Sequence, residues 1–176
     1  SPDKLCFHCH DRAIDLPSGR TIPDMQRKFA EAKVLHEPVE KGNCASCHLA
    51  HFSAQRSLLK VSYPDEIYAE FAAGAYELCF TCHDTVLADW ARTTHTGFRD
   101  GERNLHYVHV HQEKGRACDI CHDPHGSQLP NMMRKTFPFG PGGWRLPIGY
   151  VKTKTGGTCT SGCHDEFAYD RIEPRG

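Results

Sequence analysis

The sequence predicts a mostly irregular fold with a few short α-helices, and three observations lead there. Eleven prolines and fifteen glycines in 176 residues cut the chain into short pieces. Only 39% of residues are hydrophobic, and that figure includes ten cysteines, so little apolar surface remains for a polypeptide core. Cysteine and histidine, by contrast, are strictly ordered. Five times, two cysteines separated by two or three residues are followed at once by histidine: Cys6-Phe-His-Cys9-His10, Cys44-Ala-Ser-Cys47-His48, Cys79-Phe-Thr-Cys82-His83, Cys118-Asp-Ile-Cys121-His122 and Cys159-Thr-Ser-Gly-Cys163-His164. Every cysteine is used.

This is the attachment motif for c-type haem, in which both thiols form thioethers to the porphyrin and the histidine binds iron as proximal ligand. A ring pinned at two points leaves its iron within reach of the next side chain, so the chemistry needs that adjacency. Histidine is 13 of 176 residues, so its presence after all five cysteine pairs by chance is on the order of two in a million. Zinc needs four ligands per ion and gives no reason for histidine to abut every second cysteine. Disulfides across so short a loop would be strained and would staple nothing together. The fifth motif carries an extra residue, and Gly162 is expected to supply the backbone freedom for the longer span. Five covalently bound haem c groups, about one per 35 residues, give a fold whose core is a stack of haems wrapped by chain.

The motifs begin at residues 6, 44, 79, 118 and 159, an internal repeat. A longer period lies over it. His36 stands six residues before Gly42 and His51 three after His48; His109 stands six before Gly115 and His125 three after His122. The chain is therefore read as one module: a leading haem over 1–35, a two-haem unit over 36–95 and a second over 96–176. Met25, Phe29 and Ala32 suggest a helix within Pro23 to His36. Pro64, Asp65 and Glu66 open a second expected helix to Tyr76, with Ile67, Phe71 and Ala75 on one face. Residues 134–157, rich in proline and glycine, are expected to form an ordered loop over a haem, with Trp144 and Tyr150 as apolar contacts.

A net charge of −1 with no basic run speaks against nucleic acid, and the propionates of bound haem would make the molecule more acidic. No stretch approaches 18 consecutive apolar residues, so no membrane span is expected. Phosphate loops, nucleophile elbows and dinucleotide fingerprints are missing. Ser1 reads as a processed or truncated start. Because haem is normally attached outside the energy-conserving membrane, an exported protein is expected, periplasmic or extracellular.

Five histidines are proximal ligands: His10, His48, His83, His122 and His164. Eight others, His8, His36, His51, His95, His106, His109, His111 and His125, face five irons, and at least four are expected to be sixth ligands. On a helical turn His51 would leave the same face as His48, whereas ligands of one iron come from opposite faces. His51 should therefore serve a neighbouring haem, and His125 likewise.

The pattern His36-Glu-Pro-Val…Gly42…Cys44-x-x-Cys47-His48-x-x-His51…Leu78-Cys79-x-x-Cys82-His83 resembles the doubled-motif multihaem cytochromes of metal-reducing and sulfate-reducing bacteria, the cytochrome c3 family. Asn104-Leu-His106-Tyr-Val-His109 through Cys118…Cys121-His122-Asp-Pro-His125-Gly-Ser is similar to the same group, as is Gly156-Gly-Thr-Cys159…Cys163-His164…Tyr169-Asp-Arg171. The resemblance covers nearly the whole chain. It implies bis-histidine haems of low potential and extracytoplasmic electron transfer, with His36, His51, His106, His109 and His125 as distal ligands. His8, His95 and His111 lie outside the pattern and are candidates for a distal or inter-subunit role.

The function expected is a pentahaem electron relay that is not an enzyme. Its partners would be other cytochromes or redox proteins and extracellular metal oxides. It would be either a discrete particle or the protomer of a homo-oligomeric conductive filament. The alternative is a nitrite- or hydroxylamine-type reductase with one open haem. Such enzymes often replace the proximal histidine with lysine at the active haem, and all five motifs here end in histidine.

Overall fold

The computed structural model describes residues 2–140 and 143–176; Pro141 and Gly142 of the expected 134–157 loop, and Ser1, lie outside the described residues. The helices are short: α1 (Pro2–His10), α2 (Met25–Glu31), α3 (Glu37–Glu40), α4 (Glu77–Phe80), α5 (Val86–Asp89), α6 (Leu105–Val110) and α7 (Cys118–Cys121). Strands form four small antiparallel sheets. Three are two-stranded: β1 (Ile14–Asp15) with β2 (Thr21–Ile22), β3 (Arg99–Asp100) with β4 (Arg103–Asn104), and β5 (Thr136–Phe139) with β6 (Trp144–Pro147). The fourth joins β7 (Tyr150–Lys152), β8 (Gly156–Cys159) and β9 (Phe167–Asp170) in that order.

The expected helix within 23–36 forms as α2, opened by Asp24, whose side chain accepts from Arg27 N–H. It ends at Ala32 because the next amides turn away: Lys33 and Val34 both donate to the Ser127 carbonyl. No α-helix forms over 64–76. Ala69 donates to Gly115, Ala117 donates to Ile67, and Tyr68 bridges Arg116, so these backbone groups bond across to a distant segment, and only a 3₁₀ turn at Ala73–Tyr76 remains. The described part of 134–157 is likewise not loop but strands β5, β6 and β7. Proline tolerates this because Pro138 and Pro147 sit on two-stranded edges. Tyr150 is buried there, while Trp144 is 54% exposed and packs edge-on against Phe139.

Among the described residues, two small apolar clusters meet the motifs. Tyr76, Ala117 and Ile120 form one, with Phe71, Phe80, Cys118 and Cys121 against it. Met133, Ile148 and Tyr150 form the other, against Cys121 and Cys159. Haem-motif cysteines line both, so a group attached there would extend the interior.

The internal repeat is visible as geometry. Lys60 donates to Cys47 O as Arg134 does to Cys121 O, and Leu49 donates to Leu58 O as Asp123 does to Met132 O. The corresponding turns Arg56–Leu58 and Pro130–Met132 carry the same left-handed pairs, Ser57 and Leu58 at φ 52° and 56°, Asn131 and Met132 both at 55°. The stretches 47–60 and 121–134 thus share one backbone, 74 positions apart.

Candidate functional site

In the second, third and fourth motifs the chain makes one helical turn. His48 donates from its backbone to Cys44 O, His83 to Cys79 O and His122 to Cys118 O, at 2.9–3.1 Å. That turn sets the first cysteine and the histidine on one side, as a doubly tethered ring requires. Beyond it the backbone is extended at His122, so the helical-turn geometry expected for His122 to His125 is not what forms. In the fifth motif Cys159 ends β8 and no such turn follows. Gly162 has no left-handed φ; a Cβ there would lie 2.5 Å from Leu146 Cδ1, so glycine serves close approach, not the backbone freedom expected of it.

Among the described residues, four of the histidines that end the motifs each have a second imidazole beside them. Ring centroids are 6.1 Å apart for His36 and His83, 6.0 Å for His48 and His125, 6.4 Å for His106 and His122, and 6.5 Å for His109 and His164. An imidazole nitrogen binds a first-row metal at about 2 Å and sits about 1.1 Å from its ring centroid, so two imidazoles trans on one ion stand roughly 6.2 Å apart. The four centroid spacings match that separation. No group of three or more His, Cys, Asp and Glu side chains that could enclose a metal is found among the described residues.

The other ring nitrogen is occupied. Nδ1 of His48 meets Ser57 O at 2.9 Å, Nδ1 of His122 meets Asn131 O at 2.9 Å, Nδ1 of His109 meets Leu105 O at 2.6 Å, Nδ1 of His164 meets Asp165 O at 2.5 Å and Nδ1 of His106 meets Thr96 Oγ1 at 3.1 Å. A carbonyl can only accept, so the proton sits on Nδ1 and the Nε2 lone pair is left for a metal. Burial pushes His106 down to about 3 and His125 to about 4, and it also lowers His36, His109 and His122. All five are neutral near pH 7, the form that ligates iron.

Neighbouring motifs touch in chain order. Helix α1 packs on the turn Cys44–Ser46, Cys47 lies near Cys82, the Cys79 sulfur is within hydrogen-bonding reach of Cys118, and Cys121 lies near Cys159 and Cys163. The remaining histidines have other surroundings. His111 packs on Phe71 and Tyr107 at 4.3 and 4.1 Å between centroids, and His95 lies exposed beside Trp90. His8 and His51 are exposed, and His10 has a buried Nδ1 without a hydrogen-bond partner. Among the described residues no imidazole stands opposite His10 at the spacing of the other four.

Asn104 was not singled out by sequence reasoning. Its Nδ2 donates to the carbonyls of Leu87 and Trp90, after the third motif, while its Oδ1 accepts from His106 and Tyr107 N–H. It thereby caps α6, which carries His106 and His109, and ties that helix to α5. Asparagine just before Leu105-His-Tyr-Val-His is an N-cap signal that could have found it.

No curated protein and no solved structure matches the chain. The doubled CXXCH motif family matches over residues 36–88, the stretch from His36 through the second and third motifs. That match supports a multihaem c-type cytochrome-like protein, one that binds haem c covalently and transfers electrons.

Proposed function

We propose that the chain is a pentahaem electron-transfer cytochrome of the c3-like kind, its haems stacked in the order of the motifs as its core. The observation that carries this reading is the set of four facing imidazole pairs. Haem c supplies the one-electron iron couple, which accepts from a reduced redox partner and gives to an oxidised cytochrome or an extracellular metal oxide. The cysteines fix each ring covalently. Four irons would be held between two imidazoles of the chain: His36 with His83, His125 with His48, His106 with His122 and His109 with His164. Filled axial positions exclude substrates from those irons, which makes the role relay and not catalysis. The carbonyls of Ser57, Asn131, Leu105 and Asp165 orient the rings and raise their basicity, which favours the oxidised iron and lowers the potential. The exposed apolar side chains of Leu5, Phe52 and Trp144 are contact surface for the macrocycles or for a partner. Export to the periplasm or the cell surface follows from the attachment chemistry, and no helix among the described residues is long and apolar enough to cross a membrane.

His10 divides the versions of this reading. A sixth ligand from His8, His51, His95 or His111 of the same chain gives a discrete particle, and one from a second copy gives a filament protomer. An open sixth position at His10, which has no imidazole opposite it among the described residues, gives the reductase alternative. The test uses the holoprotein isolated without denaturation. Mass and haemochrome assays should return five haems per chain, and fewer than four would overturn the reading. Carbon monoxide added to the ferrous protein should bind at most one haem. Uptake by four or five would refute the axial pairs, and electron micrographs separate particles from filaments.

A further inference from the structure

The two units share a backbone but differ at one buried contact. Asp123 follows the fourth proximal histidine directly and is 7% exposed. Its Oδ2 lies 2.7 Å from Lys28 Nζ on α2 and 3.2 Å from Arg134 Nη1, and its Oδ1 accepts from His125 N–H at 3.2 Å. Arg134 Nε donates to the carbonyls of Asp119 and His122. The loop from Asp123 is thus held from both sides. Beyond it, Ser127 pairs with Val34, the His36 ring hydrogen-bonds the Pro124 carbonyl, and a Cβ on Gly126 would lie 2.7 Å from Leu35. One short loop therefore sets His125 against His48 and supports His36 against His83.

The first unit serves as an internal comparison. Counting back 74 positions, Asp123 becomes Leu49, Arg134 becomes Lys60 and His125 becomes His51. Leu49 is 40% exposed and has no carboxylate to be clamped, and His51 is exposed with no imidazole opposite it among the described residues. The histidine is seated where the clamp exists and unseated where it does not.

We infer that Asp123, clamped by Lys28 and Arg134, is a positioning residue that seats His125 as an axial ligand across the two units and couples the ligation of the second haem to that of the third. The inference rests on the pairing of His48 with His125 proposed above. A neutral or shortened side chain at 123 frees the backbone of His125 and leaves two cations without their anion, so the loop swings away and one sixth position opens.

The test compares the holoproteins of His125→Ala, Asp123→Ala and Lys28→Met, each checked by mass for full haem content. His125→Ala should raise carbon monoxide uptake of the ferrous protein by one equivalent per chain over wild type, reversed by added imidazole. Asp123→Ala should open the same haem, identified by the same lost low-spin resonance, and the third haem's low-spin signal should shift with it. Asp123→Glu should restore the wild-type spectrum. A purely structural role would lower haem yield or melting temperature without creating a reactive haem. If His125→Ala opens one haem while fully loaded Asp123→Ala takes up no more than wild type, the positioning role is refuted and the pairing stands. If His125→Ala opens none, the pairing fails and the inference with it. Should Asp123→Ala not load, fully loaded Lys28→Met is judged by the same criterion, with a partial gain expected and none overturning the inference.

Discussion

Replacing Thr96 with valine should raise the potential of one haem by about 20–40 mV. Among the candidate ligands with a close Nδ1 partner, His106 is held by a side chain: Thr96 Oγ1 at 3.1 Å, in a residue only 5% exposed. The partners of His48, His109, His122 and His164 are backbone carbonyls that mutation does not remove. With Nε2 on iron, Nδ1 would carry the proton and the hydroxyl would accept it, giving the ring some imidazolate character that stabilises ferric over ferrous iron. A neutral hydrogen bond contributes about 1 kcal/mol net. Since about 1.4 kcal/mol is a factor of ten, and a factor of ten is 59 mV for one electron, the whole bond is equivalent to about 40 mV. Part of it survives in the ferrous state, hence the lower bound. Valine also frees Phe98 N–H, which Thr96 Oγ1 accepts at 3.2 Å, so Thr96→Ser, which keeps the hydroxyl, is the control. Optical redox titration with paramagnetic resonance at low temperature would follow each low-spin haem. One component should move upward and the others stay within about 10 mV. No shift, or a downward one, would refute the claim that this hydroxyl tunes the ligand.

Asp100 should matter for stability. It is 5% exposed and accepts from the backbone N–H of Asp170, Arg175 and Gly176, which ties β9, behind the fifth motif, to β3. Asp100→Ala removes three charged-acceptor bonds; at about 1.5 kcal/mol each, and roughly halved for solvent near the chain end, the cost is about 2–3 kcal/mol. For a chain of this size calorimetry should show a melting temperature lower by about 5–10 °C, and an unchanged transition would sink the assignment. Acid should destabilise the fold as well. Burial holds His106 at about 3 and His125 at about 4, below the ordinary 6.5, so the unfolded chain binds more protons over that window. Stability then falls as pH drops from about 6.5 towards 4, by up to about 1.4 kcal/mol per pH unit for His106 and by less for His125, whose side chain is 36% exposed. Iron ligation acts in the same direction, because only neutral imidazole binds metal. Denaturant midpoints at pH 7 and pH 5 check the sign; an equal or higher midpoint at pH 5 contradicts it.

The attachment chemistry was legible in the sequence because it is local. Thioethers and proximal ligand must be adjacent in the chain, so Cys44, Cys47 and His48 declare themselves by spacing, and the 74-residue repeat could be glimpsed from His48 and His51 against His122 and His125. Secondary structure was less legible. The apolar stripe Ile67, Phe71 and Ala75 has helical spacing, yet Ala69 and Ala117 satisfy their amides in pairings between distant segments. The strands in 134–157 were hidden behind prolines that two-stranded edges accept. What the sequence by itself determined is where haem would be tied and which histidine would lie beneath each ring, since covalent connectivity would fix both. Which histidine faces which was decided only by the tertiary structure. His48 and His125 are 77 positions apart, and nothing between them encodes the encounter. The contacts around these rings are non-local as well: a buried carboxylate between Lys28 and Arg134 beside His125, and an asparagine that caps the helix of His106 and His109 while bonded to α5, whose free energies exist only once distant segments have packed.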